Sequence, residues 1–433
     1  MNKNDRVRAD HGLGRMAAAM PAVGAWLMLN GLPALAQDAG GLQAALTQTR
    51  PLIDIRLRYE SVEQTGLAEN AHAETLRARL GAETGQFLNT SLLVEGEAML
   101  RFDRSYRPDN AVAHYTQYPV IADPENYALN RLALTNSWLP RTTVTIGRQR
   151  IILDDQRFVG NSGWRQNEVT FDALRMVSKP LAQLTLDLTF LNKVHRIYGA
   201  DSPQGTYKGD SYLANASYQL PIGKLSGFAY LLEFNPIAGL TGALDPRRSS
   251  TSTYGGRFVG ERPVSGIKLG YAVAYAWQKQ RGDNPLIFSN DYILGELNVS
   301  WSHFKAAIGE EIMQGNGTVG FATPLATLHL FEGWADKFLT TPANGIKDRY
   351  ASIGWSGKKL LGLDSLSATV AYHQFDAEHL SADYGSEWDL ALSGKWHHLA
   401  GVLKYADYSA ASATPIALAR DTRKLWAQLE YLW

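Results

Sequence analysis

The chain has 433 residues, with 42 Lys and Arg balanced by 42 Asp and Glu, and it contains no cysteine. Such a balance argues against nucleic acid as a partner, which calls for a strongly basic face. The missing thiols exclude disulfide staples, thiolate metal sites and cysteine nucleophiles.

Residues 1–36 read as a secretory leader. Lys3, Arg6, Arg8 and Arg15 make a basic start, Met16 to Leu32 is mostly small and apolar, and Ala34-Leu35-Ala36 supplies the small residues that cleavage needs. The expected mature chain, 37–433, is a single domain exported from the cytoplasm. Nothing downstream approaches the ~18 to 20 apolar residues of a membrane-spanning helix. A membrane protein of this composition must therefore be a closed β-barrel, the other structure that satisfies every backbone group in hydrocarbon.

Strand-like alternation begins early and persists. Side chains point to opposite faces at successive strand positions. Ile53, Ile55, Leu57 and Tyr59 alternate with Asp54, Arg56, Arg58 and Glu60; Leu76, Ala78 and Leu80 alternate with Arg77, Arg79 and Gly81; Leu92, Val94, Ala98 and Leu100 share a face opposite Glu95, Glu97 and Arg101. The pattern returns in Leu184–Phe190, Ile267–Gln278, Ile293–Trp301 and Trp388–Trp396. It ends with Leu425, Ala427, Leu429, Tyr431 and Trp433 on one face. About eighteen such runs have the ~10-residue length of an outer-membrane strand. The weak stretches Tyr254–Val259 and Thr143–Ile151, where the phase slips, leave about sixteen as the alternative count. The expected fold is all-β: a transmembrane antiparallel barrel whose last strand closes on Pro51–Glu60.

Connections alternate in length. Compact links fall around Gly85 and at Leu139-Pro140, Lys179-Pro180, Pro221–Gly223, Arg262-Pro263, Ser302-His303, Lys358–Gly362 and His397-His398. Longer stretches cover 103–126, 152–166, 193–210, 235–251, 315–347 and 409–421. Short periplasmic turns and long extracellular loops are the polarity of a bacterial barrel, with both termini in the periplasm. Phe87, Trp138, Trp301, Phe304, Trp355, Trp396 and Trp433 lie near the short turns or the chain end, where an aromatic girdle belongs. Outer-membrane lipid and lipopolysaccharide are the partners this surface implies.

Arginine concentrates on the lumen side of the first third. Arg56, Arg58, Arg77, Arg79 and Arg101 come from three consecutive runs, and Arg131, Arg148, Arg150 and Arg175 follow. Adjacent strands at ~4.8 Å would let these guanidiniums tile one wall, and a wall of guanidinium forks attracts carboxylates. Each arginine has a second reading, since Glu83, Glu95 and Glu97 share the wall and can neutralise it. Eight of these residues, Arg131 aside, are the candidate pore lining.

Two loops go beyond linking. Residues 147–168, GRQRIILDDQRFVGNSGWRQNE, mix four arginines with Asp154, Asp155 and Trp164. Residues 320–342, GFATPLATLHLFEGWADKFLTTP, are unusually apolar: Leu325, Leu328, Leu330, Phe331, Trp334 and Phe338 need cover. A long loop of that composition is functional rather than disordered. It is expected in the barrel mouth or against other loops, as a constriction involving Thr323, Pro324, Leu325, His329, Trp334, Asp336 and Lys337. The stretches GRQRI, DDQRFVGNSGWRQNE, TPLATLH and GWADKFL together resemble the bacterial alginate export family of outer-membrane barrels. The resemblance implies an eighteen-stranded monomeric barrel with an arginine-rich conduit for an anionic polyuronate, a family that also has porin-like members. It implies too that the C-terminal strand is read by the barrel-assembly machinery.

No HExxH, nucleophile elbow, phosphate loop or calcium loop is present. His195 and His329 fall in loops, His397-His398 in a turn and His373 near a strand end, so the histidines are read as interfacial or solvent residues. No enzyme activity, cofactor or metal is expected. The sequence points to an outer-membrane channel for passive passage of polar, anionic solutes or uronate polysaccharide. A general porin is the alternative, and an outer-membrane enzyme or adhesin stands further off.

Overall fold

The computed structural model describes residues 39–433 except 112, 381, 413 and 415–419. The expected leader, residues 1–36, lies outside the described residues. Eighteen antiparallel strands, counted among the described residues, close into one barrel. In chain order they are β1 (Arg50–Gln64), β2 (Ala71–Glu83), β3 (Thr90–Arg101), β4 (Asn126–Asn136), β5 (Thr142–Gln149) and β6 (Thr170–Leu181). Then come β7 (Leu184–His195), β8 (Thr206–Leu220), β9 (Gly223–Leu231), β10 (Thr251–Val264), β11 (Ile267–Gln280) and β12 (Ser289–Trp301). The last six are β13 (Phe304–Met313), β14 (Ile346–Leu360), β15 (Leu363–Asp376), β16 (Asp383–Trp396), β17 (Leu399–Ser409) and β18 (Thr422–Leu432). Both weak stretches contribute strands: Tyr254–Val259 lies within β10 and Thr143–Gln149 within β5, with Arg150 and Ile151 beyond its end, so the count is eighteen and not sixteen.

Each strand pairs with the next, and β1 closes the ring by pairing Asp54–Gln64 with Thr422–Leu432. The closing register sets Arg56 opposite Glu430 and Arg58 opposite Gln428 on the inside, and Leu57 opposite Leu429 on the outside. Because the side-chain period is two, a one-residue slip would turn every lumen charge outward. Outward leucines and isoleucines such as Leu57, Leu80, Ile146, Leu297, Ile308 and Leu403 are exposed around the circumference. Trp138, Phe304, Trp396 and Trp433 are exposed at the short-turn end, and the Trp301 and Phe304 rings stack with centroids 5.6 Å apart.

The structure differs from the sequence reading in two places. A helix, α1 (Ala39–Thr47), precedes β1, and the Ala45 carbonyl accepts from the Gly85 amide at 3.0 Å, seating the helix on the β2–β3 turn. Strands β7 and β8 run further toward the long loops than expected, so their loop is 196–205 and His195 ends a strand. The interior is not an empty tube. Phe171, Phe321, Phe338, Phe375, Tyr408 and Trp426 belong to one buried apolar cluster inside the ring, to which both the walls and the loops contribute. Fully burying one such side chain is worth about 1.5–3 kcal/mol.

Candidate functional site: a lumen narrowed by two folded loops

The β5–β6 loop and the β13–β14 loop fold inward and join. Gly160 N–H donates to the Leu325 carbonyl at 2.8 Å and Thr327 N–H to the Gln156 carbonyl at 3.0 Å. Thr327 Oγ1 donates to Gln156 Oε1 at 2.8 Å and accepts from Ser162 N–H at 3.0 Å. Val159 and Leu325 form an isolated parallel bridge. Thr323 and Pro324 are half-buried in the turn that the Ala326 N–H closes on the Thr323 carbonyl, and Leu325 is buried. Leu330 departs from the expectation that this loop hides its apolar residues: it is exposed.

The segment GWADKF is a docking motif, and each residue type has a mechanical reason. Gly333 sits at φ +79°, and a Cβ there would lie 2.6 Å from the Glu387 carboxylate on β16. The close approach lets the next two amides reach that strand: Ala335 N–H donates to Glu387 Oε1 at 2.7 Å and Trp334 N–H to Asp389 Oδ2 at 3.2 Å. The Trp334 ring covers Lys404 Nζ at 3.6 Å, and Trp164 covers the same ammonium from 4.3 Å. Asp336 collects Lys424 at 2.8 Å, Arg165 at 2.7 Å and His329 Nδ1 at 2.8 Å. Lys337 Nζ donates to the Arg420 carbonyl and to Thr422 Oγ1, both at 3.0 Å. Phe338 packs among Phe375, Tyr384 and Tyr408.

Charge inside the loops is tightly matched. Arg157 binds Glu311 and Glu332, each at 2.7 Å. Burial beside Glu311 pushes the Glu332 carboxyl up to about 8. Although burial opposes it, Lys424, His329 and Arg165 hold Asp336 well below the usual carboxylate range. Burial likewise fails to raise Glu168, which Arg79, Arg150 and Asn130 hold at about 2. His329 corrects the sequence reading of an interfacial or solvent residue. It is buried between Trp164 and Trp426, because its neutral ring satisfies Asp336 on one nitrogen and Lys404 on the other.

The arginines of β1 and β2 face inward and clamp the β5–β6 loop. Arg56 Nη1 donates to the Gly163 and Trp164 carbonyls at 3.0 and 3.1 Å, Arg58 Nη2 to the Trp164 carbonyl at 2.5 Å, and Arg79 Nη2 to the Gln166 carbonyl at 3.0 Å. Their remaining donors meet Glu430, Gln428 and Glu97. Arg77 is buried between Asp54 and Glu430. Arg101 faces inward and lies under the Tyr106 ring of the β3–β4 loop, 4.3 Å from its centroid. All five are enclosed by loops or carboxylates.

Arg148 corrects another expectation, that it lines the pore. It pairs with Leu132 and Asp172, and Leu132 belongs to the outward apolar face. Two residues on, Arg150 leaves the strand and turns inward to Glu168 at 2.6 Å. The phase changes at the end of β5, beyond Gly147 with its φ of +116°. A simple period-two reading puts both arginines on one face and cannot see the turn.

A strip of partly open inward cations runs along β4–β10. Arg131 meets Glu95 at 2.6 Å, Arg175 meets Asp187 at 2.5 Å and Lys224 meets Asp154 at 3.0 Å; Arg257 pairs with Asp155, and Arg150 adds its guanidinium. Each of these cations keeps between about a sixth and two fifths of its side-chain surface open. At the short-turn end the inner wall holds cavities of about 580 Å³, lined by Arg141 and Lys179, and about 470 Å³, lined by Lys224, Glu261, Asn298 and Lys305. Sequence reasoning did not single out Lys224 or Arg257 as lumen residues. Arg257 stands in a strand whose alternation is broken by Gly255 and Gly256, and Lys224 immediately follows a turn.

No protein-family model matches the sequence, and no curated protein matches it, so the resemblance to alginate export barrels rests on the quoted motifs. Among solved structures the fold is similar to barrels of Pseudomonas aeruginosa. OccK2 (OpdF) superposes with a TM-score of 0.67 at 14% identity, over 90% of this chain and 98% of that chain. OpdK, in a structure with vanillate, gives 0.66 at 13% over 88% and 98%. OpdL gives 0.65 at 17% over 90% and 99%. At these identities the likeness carries the fold: a closed eighteen-stranded antiparallel barrel of the kind seen in an outer-membrane protein such as OpdK.

Proposed function

We propose that this protein is an outer-membrane channel for passive passage of small anionic solutes, carboxylates above all. The observation that carries the reading is the accessible strip Arg131, Arg150, Arg175, Lys224 and Arg257, set beside a lumen that two ion-paired loops narrow. Exposed leucines and isoleucines around the circumference, with aromatics at one end, support lipid as the surrounding medium. A carboxylate passing the strip would exchange water for guanidinium forks whose own carboxylates already hold them in place, so binding stays weak enough for release. The structure of the similar barrel OpdK with vanillate, an aromatic carboxylate, supports small anions as cargo.

The motifs GRQRI and GWADKFL favour a second reading, export of a uronate polymer. Against it stands the pinning of both loops in the lumen, which favours small solutes. Planar-bilayer recording tests both. Anion-selective current reduced by millimolar benzoate-type carboxylates but not by oligouronates supports the first reading, and block by oligouronates supports the second. Weakly selective current insensitive to both marks a general porin, and absence of current from inserted protein refutes a channel.

A further inference from the structure

The outer surface near the long loops carries a charged row that the channel reading does not use. Arg148 on β5 pairs with Asp172 on β6, Asp172 with Lys193 on β7, and Lys193 with Lys208 on β8. The four residues lie side by side on the outward face, about 4.8 Å apart from strand to strand. Asp172 accepts from Arg148 at 2.8 Å, from His195 Nε2 at 3.1 Å and faces Lys193 at 3.5 Å. Two or three cations therefore surround one carboxylate before Lys208 is counted, and the next acid on β8 is the exposed Asp210.

Backbone irregularity builds this row. Leu191 faces inward and Lys193 faces outward because the β7 register shifts between them. A β-bulge re-aims the side chains that follow it, and here it turns Lys193 and His195 away from the lumen. The next row toward the short turns is wholly apolar: Leu134, Ile146, Leu174, Phe190 and Tyr212 pair in sequence, with the Phe190 and Tyr212 rings 5.3 Å apart. The cations thus stand at the upper border of the hydrocarbon-facing band. Lys193 and Lys208 directly oppose each other, an arrangement that is destabilising unless an anion lies between them. A comparable outward row at the closing seam, Glu63, Arg423 and Asp407, sets its one cation between two acids. The β5–β8 row instead sets three cations, Arg148, Lys193 and Lys208, around the one acid Asp172.

We infer that Arg148, Lys193, Lys208 and His195 form an outward binding site for the phosphate group of an anionic lipid in the leaflet on the long-loop side, with Asp172 holding Arg148 and His195 in place. A phosphate between the two lysines would remove their repulsion, while the acyl chains lie along the Ile146–Tyr212 row. The inference rests on the membrane reading of the barrel.

The test uses the full chain refolded into nanodiscs of phosphatidylcholine with a minor fraction of phosphatidic acid, with retained lipid counted by native mass spectrometry. Wild type is expected to retain phosphatidic acid through delipidation, and K193Q/K208Q to retain about tenfold less. The double variant leaves the Arg148–Asp172 pair intact, and a heat-modifiable band on gels verifies its barrel. Equal retention by wild type and variant overturns the inference, as does loss of retained lipid on adding inorganic phosphate, which would mark a soluble-anion site. Failure of wild type to insert into any bilayer would instead overturn the membrane reading.

Discussion

The indole of Trp164 lies flat on the imidazole of His329, ring centroids 4.6 Å apart and planes 7° apart, and this stack joins the two loops that fill the barrel. His329 Nδ1 donates to Asp336 at 2.8 Å and Nε2 accepts from Lys404 Nζ at 2.8 Å, a set of bonds that the neutral ring alone can make. Burial, aided by Lys404, pushes the imidazole down to about 3 from its usual 6.5. A histidine depressed in the folded state contributes stability that is complete above its unfolded value and is lost as pH falls through the folded value. The window here runs from 6.5 down to about 3. At a pH two units below 6.5 the docked loops lose on the order of 2–3 kcal/mol. Single-channel current is expected to flicker or enlarge in acid, and His329→Asn, which cannot protonate, should flatten that response. An unchanged acid response in the variant would contradict the assignment.

Gly333 offers a test that spares the ring pairings. Its φ of +79° and the 2.6 Å approach of a Cβ to Glu387 mean that Gly333→Val combines backbone strain with a clash. Strain at a non-glycine residue held in that region costs on the order of 1–3 kcal/mol before the clash is counted. The strands do not depend on this residue, so barrel migration on gels should persist while limited proteolysis cuts within 320–342. Protection equal to wild type would show that the loop docks by other contacts.

Strand positions were legible in the sequence because a half-buried strand writes its two faces directly into the alternation, as β1 and β18 do. Face assignment failed where the backbone breaks phase: Arg148 lies beside an irregular strand end, and period two has no memory of it; Lys193, read as the start of a loop, lies instead on β7 past a bulge. The apolar loop 320–342 was recognisable from composition, but its docking partners Glu387, Asp389 and Lys404 come from β16 and β17. Such long-range pairing is invisible to local pattern. Helix α1 escaped notice because Ala39–Thr47 carries no acidic first turn or basic last turn to mark its ends.

The accessible cations, and not the buried ones, should govern selectivity. Arg150→Ser, Arg175→Ser and Arg257→Ser together remove three forks from the β4–β10 strip, leaving Asp187 and Asp155 without their arginine partners, while Glu168 stays buried and keeps Arg79 and Asn130. The reversal potential in a salt gradient is expected to shift from anion toward cation preference. Arg175 and Arg257 sit in partly solvated pairs worth about 0–1 kcal/mol, and Glu168 keeps Arg79, Asn130 and Asn161 when Arg150 goes, so the barrel should still fold and migrate as one on gels. A triple variant that keeps wild-type selectivity would sink the assigned role of the strip.

Arg77 gives the opposite pattern. It is buried with Asp54 and Glu430 as partners, and its removal strands charge on the closing seam between β1, β2 and β18. Breaking a buried ion pair costs about 3–5 kcal/mol. The lower end applies here, since Glu430 keeps Arg56 at 2.7 Å and Asp54 keeps Arg79 at 3.7 Å. Arg77→Met should therefore lower the urea midpoint of the folded barrel. Adding Glu430→Gln should cost less than it does in the wild-type background, because the carboxylate that Arg77 neutralised is already unpaired from it, although Arg56 then loses its partner as well. Strict additivity of the two substitutions would show that Arg77 and Glu430 are not energetically coupled, and that the seam is held by backbone pairing and outer-face packing alone.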